Sequence, residues 1–158
     1  MKKFFMAGVL LVLVGVAGCS KSAGGDDANA YISEMIPLLI VKTGLDNAFS
    51  ERFEKAVNGQ AVVSIYSQYM ATNQSLGQLV TGIQDKYKGV TREAFMAAYS
   101  NRKAEMSDVE MKNEMATMRL QVAFLSNQHR DSVEVKKLFS DLSNQAYAQM
   151  QQQPPTVQ

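Results

Sequence analysis

From Val62 to Tyr87 the chain sets Val62, Tyr66, Tyr69, Asn73, Leu76, Val80, Ile83 and Tyr87 at alternating steps of four and three. An α-helix gathers such positions into one stripe, because a turn takes about 3.6 residues whereas a strand repeats every two. A stripe of that length on one side of a rod needs other rods to cover it, which commits the chain to helix packing. Asn73 is its one polar member. Gly77 and Gly82 are the weak points, each costing about 1 kcal/mol relative to alanine.

The remainder of the sequence agrees with that commitment. Three prolines, ten scattered glycines and many Ala, Leu, Met, Gln and Lys residues favour helix over sheet. No stretch alternates as a strand would, and no fixed-period repeat is present. In 29–42, Ile32, Ile36, Leu39 and Ile40 have helical spacing, but Pro37 predicts a bend or two short helices meeting near Ile36, and Gly44 a stop. Leu45, Phe49, Phe53 and Ala56 mark a further short helix, closed by Asn58-Gly59. Thr91 is an N-cap for a helix carrying Phe95, Ala98, Tyr99 and Arg102. Ser107 to Glu110 has the capping-box form and predicts the start of a helix whose buried seam is Met111, Met115, Met118, Val122, Leu125 and His129. Asp131 to Glu134 caps a last helix through Val135, Leu138, Phe139, Leu142, Ala146 and Met150. The expected fold is all-α, an antiparallel bundle of five to six helices over residues 29–150, followed by a disordered tail at 151–158 containing Pro154-Pro155.

Ahead of the bundle the character changes. Lys2 and Lys3 precede an uncharged apolar run from Phe4 to Ala17. As a helix it spans roughly 21 Å, short of a ~30 Å hydrocarbon core. A basic start, a short apolar middle and small residues before a cut describe a secretory signal. The segment Val16-Ala17-Gly18-Cys19 resembles the lipobox of bacterial lipoproteins. The resemblance covers about the first 20 residues and implies cleavage between Gly18 and Cys19, a diacylglycerol on Cys19 Sγ and an acyl group on the freed amine. Residues 1–18 are then a signal peptide, and 19–28 a lipidated terminus and a polar tether. Two or more acyl chains hold a protein stably on a membrane where one holds it marginally. With Ser20 rather than aspartate after the cysteine, the resemblance points to the periplasmic leaflet of the outer membrane.

Lys2 and Lys3 are the only charges in residues 1–18, so the remaining 140 residues carry 14 Lys and Arg against 15 Asp and Glu, a net −1. That balance excludes a nucleic-acid binder, which needs a basic surface to displace counterions. Cys19 is the only cysteine, so no disulfide forms within the chain and packing must supply the stability. Met111, Met115 and Met118 share one helix face, and thioethers suit Cu(I). The same spacing is what a buried seam requires, and methionine fills core gaps well. His129, the sole histidine, falls near a helix C-terminus, where its charge suits the helix dipole. Glu110 and Glu114 stand a turn apart, but no nucleophile elbow or phosphate loop accompanies them, and no tryptophan is available for a sugar groove. Lys86, Lys88, Arg92, Arg102 and Lys103 gather at helix ends, where they can meet anionic headgroups.

The expected function is therefore a non-enzymatic, lipid-anchored binding or accessory protein for another envelope component, without a cofactor beyond the covalent lipid. Secretion pilotins, accessory subunits of envelope complexes and immunity lipoproteins are proteins of this kind. The expected docking surface is Ile36–Val41 or the Tyr66–Tyr87 helix. Copper binding through the methionines is the alternative, and a hydrolase a more distant one.

Overall fold

A computed structural model describes residues 25–152. They form five helices, α1 (Gly25–Glu54), α2 (Gly59–Lys86), α3 (Arg92–Asn101), α4 (Lys103–Ser126) and α5 (Val133–Gln152). The bundle is all-α, as expected. The lipobox residues Val16, Ala17, Gly18 and Cys19 and the tail beyond Gln152 lie outside the described residues.

α1 is the hub, packing along its length on α4 and also touching α2 and α3, while α5 leans chiefly on α2. Contacts fix the directions. Tyr87 reaches Glu34 and Tyr69 reaches Asp46, so α1 and α2 are antiparallel. Arg102 reaches Ser33, Thr117 reaches Asp46 and Asn127 reaches Phe53, so α4 runs parallel to α1. The long helices alternate in direction along the chain, and the short α3 lets α4 return beside α1.

Of the two arrangements expected at Pro37, the two short helices do not occur, nor does the stop at Gly44, because α1 runs through both positions as one helix. Pro37 is exposed on the side of α1 facing away from the core, as is Gly44, where an added Cβ would meet nothing within 4 Å. An interior proline costs about 3 kcal/mol and a glycine about 1. Tyr31, Ile32, Met35 and Ile36 before them, and Phe49 and Phe53 after them, are all buried. At about 1.5–3 kcal/mol for each large apolar side chain, that burial outweighs both defects. The helix also begins four residues early, at Gly25, so Gly25 to Ala28 of the expected tether belong to α1, and Ala28 is fully buried.

Caps decide the other boundaries. Thr91 Oγ1 accepts from Ala94 N as expected, and Ser132 Oγ accepts from Val135 N at the start of α5. Asn58 does not close a helix but opens one, its Oδ1 accepting from Ala61 N at 2.8 Å. The capping box at Ser107 is not used, because α4 has already begun at Lys103 and Glu110 instead accepts from the Tyr99 hydroxyl at 2.7 Å. His129 lies in the turn after α4, and the carbonyl of Leu125 is taken by Arg130. Gly59 is required for space, since a Cβ there would stand 2.1 Å from Ser132 Oγ where α2 and α5 begin together.

The largest departure concerns α4. Its buried side is Met106, Val109, Asn113, Ala116, Leu120, Ala123 and Phe124. The seam expected to be core points outward: Met111 is 54% exposed, Met115 59%, Met118 51%, Val122 63% and Leu125 54%. Two stripes of similar spacing lie on opposite sides of this helix. The one carrying Ala116 and Ala123 faces α1, because small side chains let two helix axes approach closely. We expect Leu120→Ala to cost about 2–5 kcal/mol and Met115→Ala less than about 0.5 kcal/mol in chemical denaturation. Equal losses would reverse the assignment of faces.

Candidate functional site

Two apolar clusters occupy the ends of the bundle. One gathers Tyr31, Ile32, Met35 and Ile36 with Val90, Phe95 and Met106; the other gathers Phe49, Phe53, Val62 and Tyr66 with Leu120, Phe124 and Val135. In the second, the Phe53 and Phe124 rings meet edge to face at 5.4 Å, and Phe124 lies 5.7 Å from Phe139.

Between the clusters sits a polar layer centred on α1. Lys42 and Asp46, one turn apart, are 5% and 0% exposed. Lys42 Nζ donates to both carboxylate oxygens of Asp46, at 2.6 and 2.5 Å. Tyr69 of α2 accepts from Lys42 Nζ and donates to Asp46 Oδ1, each at 3.2 Å, and Thr117 of α4 donates to Asp46 Oδ2 at 2.7 Å. Burial and the neighbouring Asp46 charge push the Tyr69 phenol well above its ordinary range, so it stays protonated. The layer thus ties three helices through one carboxylate whose lone pairs are all used. Such satisfaction suits structure, not catalysis: the lysine is fully charge-paired and the carboxylate is already saturated with donors. Ser50, also 0% exposed, is the exception, its hydroxyl having no partner among the described residues.

Two surfaces remain as places where another molecule can bind. The first is the outward face of α4, with Met111, Met115, Met118, Val122 and Leu125 in one row. It brings the three methionines of the expected copper alternative together on the surface. The second is a shallow groove of about 440 Å³ between α2 and α5, lined by Tyr66, Ser67, Met70, Ala71, Gln74, Leu138 and Leu142. Of the expected docking stretch Ile36–Val41, Ile36 is buried while Ile40 and Val41 are each 57% exposed. Along Tyr66–Tyr87 the periodic positions turn inward, leaving Met70 and Leu79 exposed.

Two of the five basic residues at the α2–α3–α4 end, Lys86 and Arg102, are engaged. Lys86 pairs with Glu34, which also accepts from Tyr87, and these contacts hold the Glu34 carboxyl below the usual range. Arg102 binds Glu105 and Ser33. Among the described residues no group of three His, Cys, Asp or Glu side chains is placed to hold a metal, and no helix is long and apolar enough to cross a membrane. The signal missed in the sequence was the opposite charge of Lys42 and Asp46 at i, i+4 inside an apolar stripe, the spacing of a helical ion pair. No protein-family model, no curated protein and no solved structure matches the chain.

Removing one partner of a buried pair strands the other charge. Asp46→Ala is therefore expected to cost about 3–5 kcal/mol, while the double replacement Lys42→Met with Asp46→Leu costs far less, because the desolvation penalty leaves with the pair. Urea denaturation of both variants is the check, and equal costs would mean the layer contributes through packing alone.

Proposed function

We propose that this chain is a lipid-anchored, non-enzymatic binding protein of the bacterial envelope, held by acyl groups on Cys19 at the periplasmic leaflet of the outer membrane, and that it acts by associating with another envelope component. The single observation that supports association most is the outward face of α4. Five large apolar side chains, each more than half exposed, lie on one side of a helix whose other side is fully packed. An apolar row is costly to leave in water, and a contiguous exposed patch of this kind marks an interaction surface. The lipobox-like Val16-Ala17-Gly18-Cys19 supports the anchoring half of the proposal. The first described helix starts only six residues after Cys19, so the module would stand near the headgroups.

Two measurements test this reading. Intact mass of the protein from its host should show a chain beginning at Cys19 with three acyl chains, and Cys19→Ala should move it out of the membrane fraction. Photo-crosslinking groups at Met115 and, in the α2–α5 groove, at Gln74 should capture a defined envelope component from at least one of the two surfaces. A chain that still begins at Met1 without lipid, or one that yields no specific adduct from either surface, would overturn the respective half.

Exposure of Met111, Met115 and Met118 also favours a second reading, in which their thioethers hold Cu(I). Titration of the full chain with Cu(I) separates the two. Binding no tighter than micromolar is expected under the association reading, whereas tight binding lost in Met115→Ala would replace it.

A further inference from the structure

We propose that the outward face of α4 is closed by a second copy of this chain, whose own α4 lies parallel to the first in a two-stranded coiled-coil register. The inference rests on the reading above that this face is an interaction surface. From Met111 to Leu125 the exposed residues step by four, three, four and three. That is the a/d repeat of a coiled coil, with Met115 and Val122 at a and Met111, Met118 and Leu125 at d. In the second heptad Val122 at a and Leu125 at d are the pairing that favours two strands. The seam has defined ends. Asp108, at the preceding a position, is held by Lys112 at 2.6 Å, and α4 stops at Ser126.

The flanking charges choose the orientation. Glu114 falls at a g position, and Lys112 and Arg119 at e. In a parallel pair each g residue meets the e residue of the following heptad on the other strand, which sets Glu114 against the second copy's Arg119, twice by symmetry. An antiparallel pair would bring e against e and oppose the cations. Both members of the proposed pair are available. Glu114 has no ion-pair partner among the described residues, and Arg119 is 3.7 Å from Glu54 with both side chains about half exposed.

The geometry is compatible with two anchored chains. Because α4 runs parallel to α1, a parallel α4 pair puts both copies of Gly25 at the same end of the dimer. Five side chains, each a little over half exposed, make a patch smaller than the ~800 Å² per partner of a standard interface. The dimer is accordingly weak in dilute solution, and confinement of both copies to one leaflet raises their effective concentration. The α2–α5 groove, borne by other helices, stays open for the envelope component.

The test uses the full chain in membranes of its host. Met118→Cys places two thiols across the seam, and a short bismaleimide should join them into a species of doubled mass. Gln78→Cys on the outer side of α2 should give none, and Cys19 is common to both. Arg119→Glu and Glu114→Arg should each lower the yield about tenfold, and the double variant should restore it, since reversing both members of a close charge pair recovers the attraction. A Met118→Cys adduct with a different protein, and no doubled-mass species, overturns the second copy while leaving the association reading intact. No adduct of either kind, from a variant whose circular dichroism remains helical, overturns the second copy, and the association reading then stands or falls with the photo-crosslinks at Met115 and Gln74. A doubled-mass species whose yield the double variant fails to restore rejects the parallel register.

Discussion

The close parallel contact between α1 and α4 is the constraint on which this structure depends. α1 is the only helix that packs directly on α2, α3 and α4, and its contact with α4 is the most extensive in the bundle. The contact is tight because α4 turns Ala116 and Ala123 toward α1. The opposite side of the same helix leaves Met111, Met115, Met118, Val122 and Leu125 exposed. Asn127 fixes the far end of this pair by donating to the Phe53 carbonyl at 2.6 Å, and Arg102 fixes the near end through Ser33.

The polar layer sets the register of the same contact. A purely apolar α1–α4 interface tolerates sliding by a turn, because one aliphatic side chain substitutes for another at modest cost. Asp46 does not tolerate it. Its carboxylate takes Lys42 from its own helix, Tyr69 from α2 and Thr117 from α4, and a slip of α4 by one turn would take the Thr117 donor away from a buried carboxylate oxygen. Specification of alignment by a buried polar group is the same physics that a single asparagine supplies in a coiled coil. Here it costs some net stability and fixes three helices at once.

How far the sequence foretold this arrangement depended on how many stripes each helix carried. α2 has one, and the inward turn of Val62, Tyr66, Tyr69, Leu76, Val80 and Ile83 follows its spacing. Thr91 was legible as a cap for the same reason, a local bond needing only local neighbours. The stop at Gly44 and a division into two helices at Pro37 misled because the local penalties are visible in the sequence, whereas the burial that outweighs them comes from residues far along the chain. α4 misled because it has two stripes of similar period, and periodicity alone cannot say which of them meets a neighbour. The candidate surface on α4 was thus visible as a row of residues but not as a surface. The Lys42–Asp46 pair was readable as a spacing, although its burial depended on Tyr69 and Thr117 arriving from other helices.

The unequal support of the helices has a mechanical outcome. α5 touches the remainder chiefly along the first half of α2, through Val135, Leu138, Phe139 and Leu142, and has no part in the Asp46 network. Its opening therefore breaks neither the buried ion pair nor the α1–α4 contact, and it is the least costly large fluctuation available to the fold. Each such excursion would uncover the aromatic faces of Tyr66 and Phe124 and enlarge the shallow groove beside them. The fifth helix is in this sense a detachable cover, and the dimensions of the α2–α5 groove are those of its resting state.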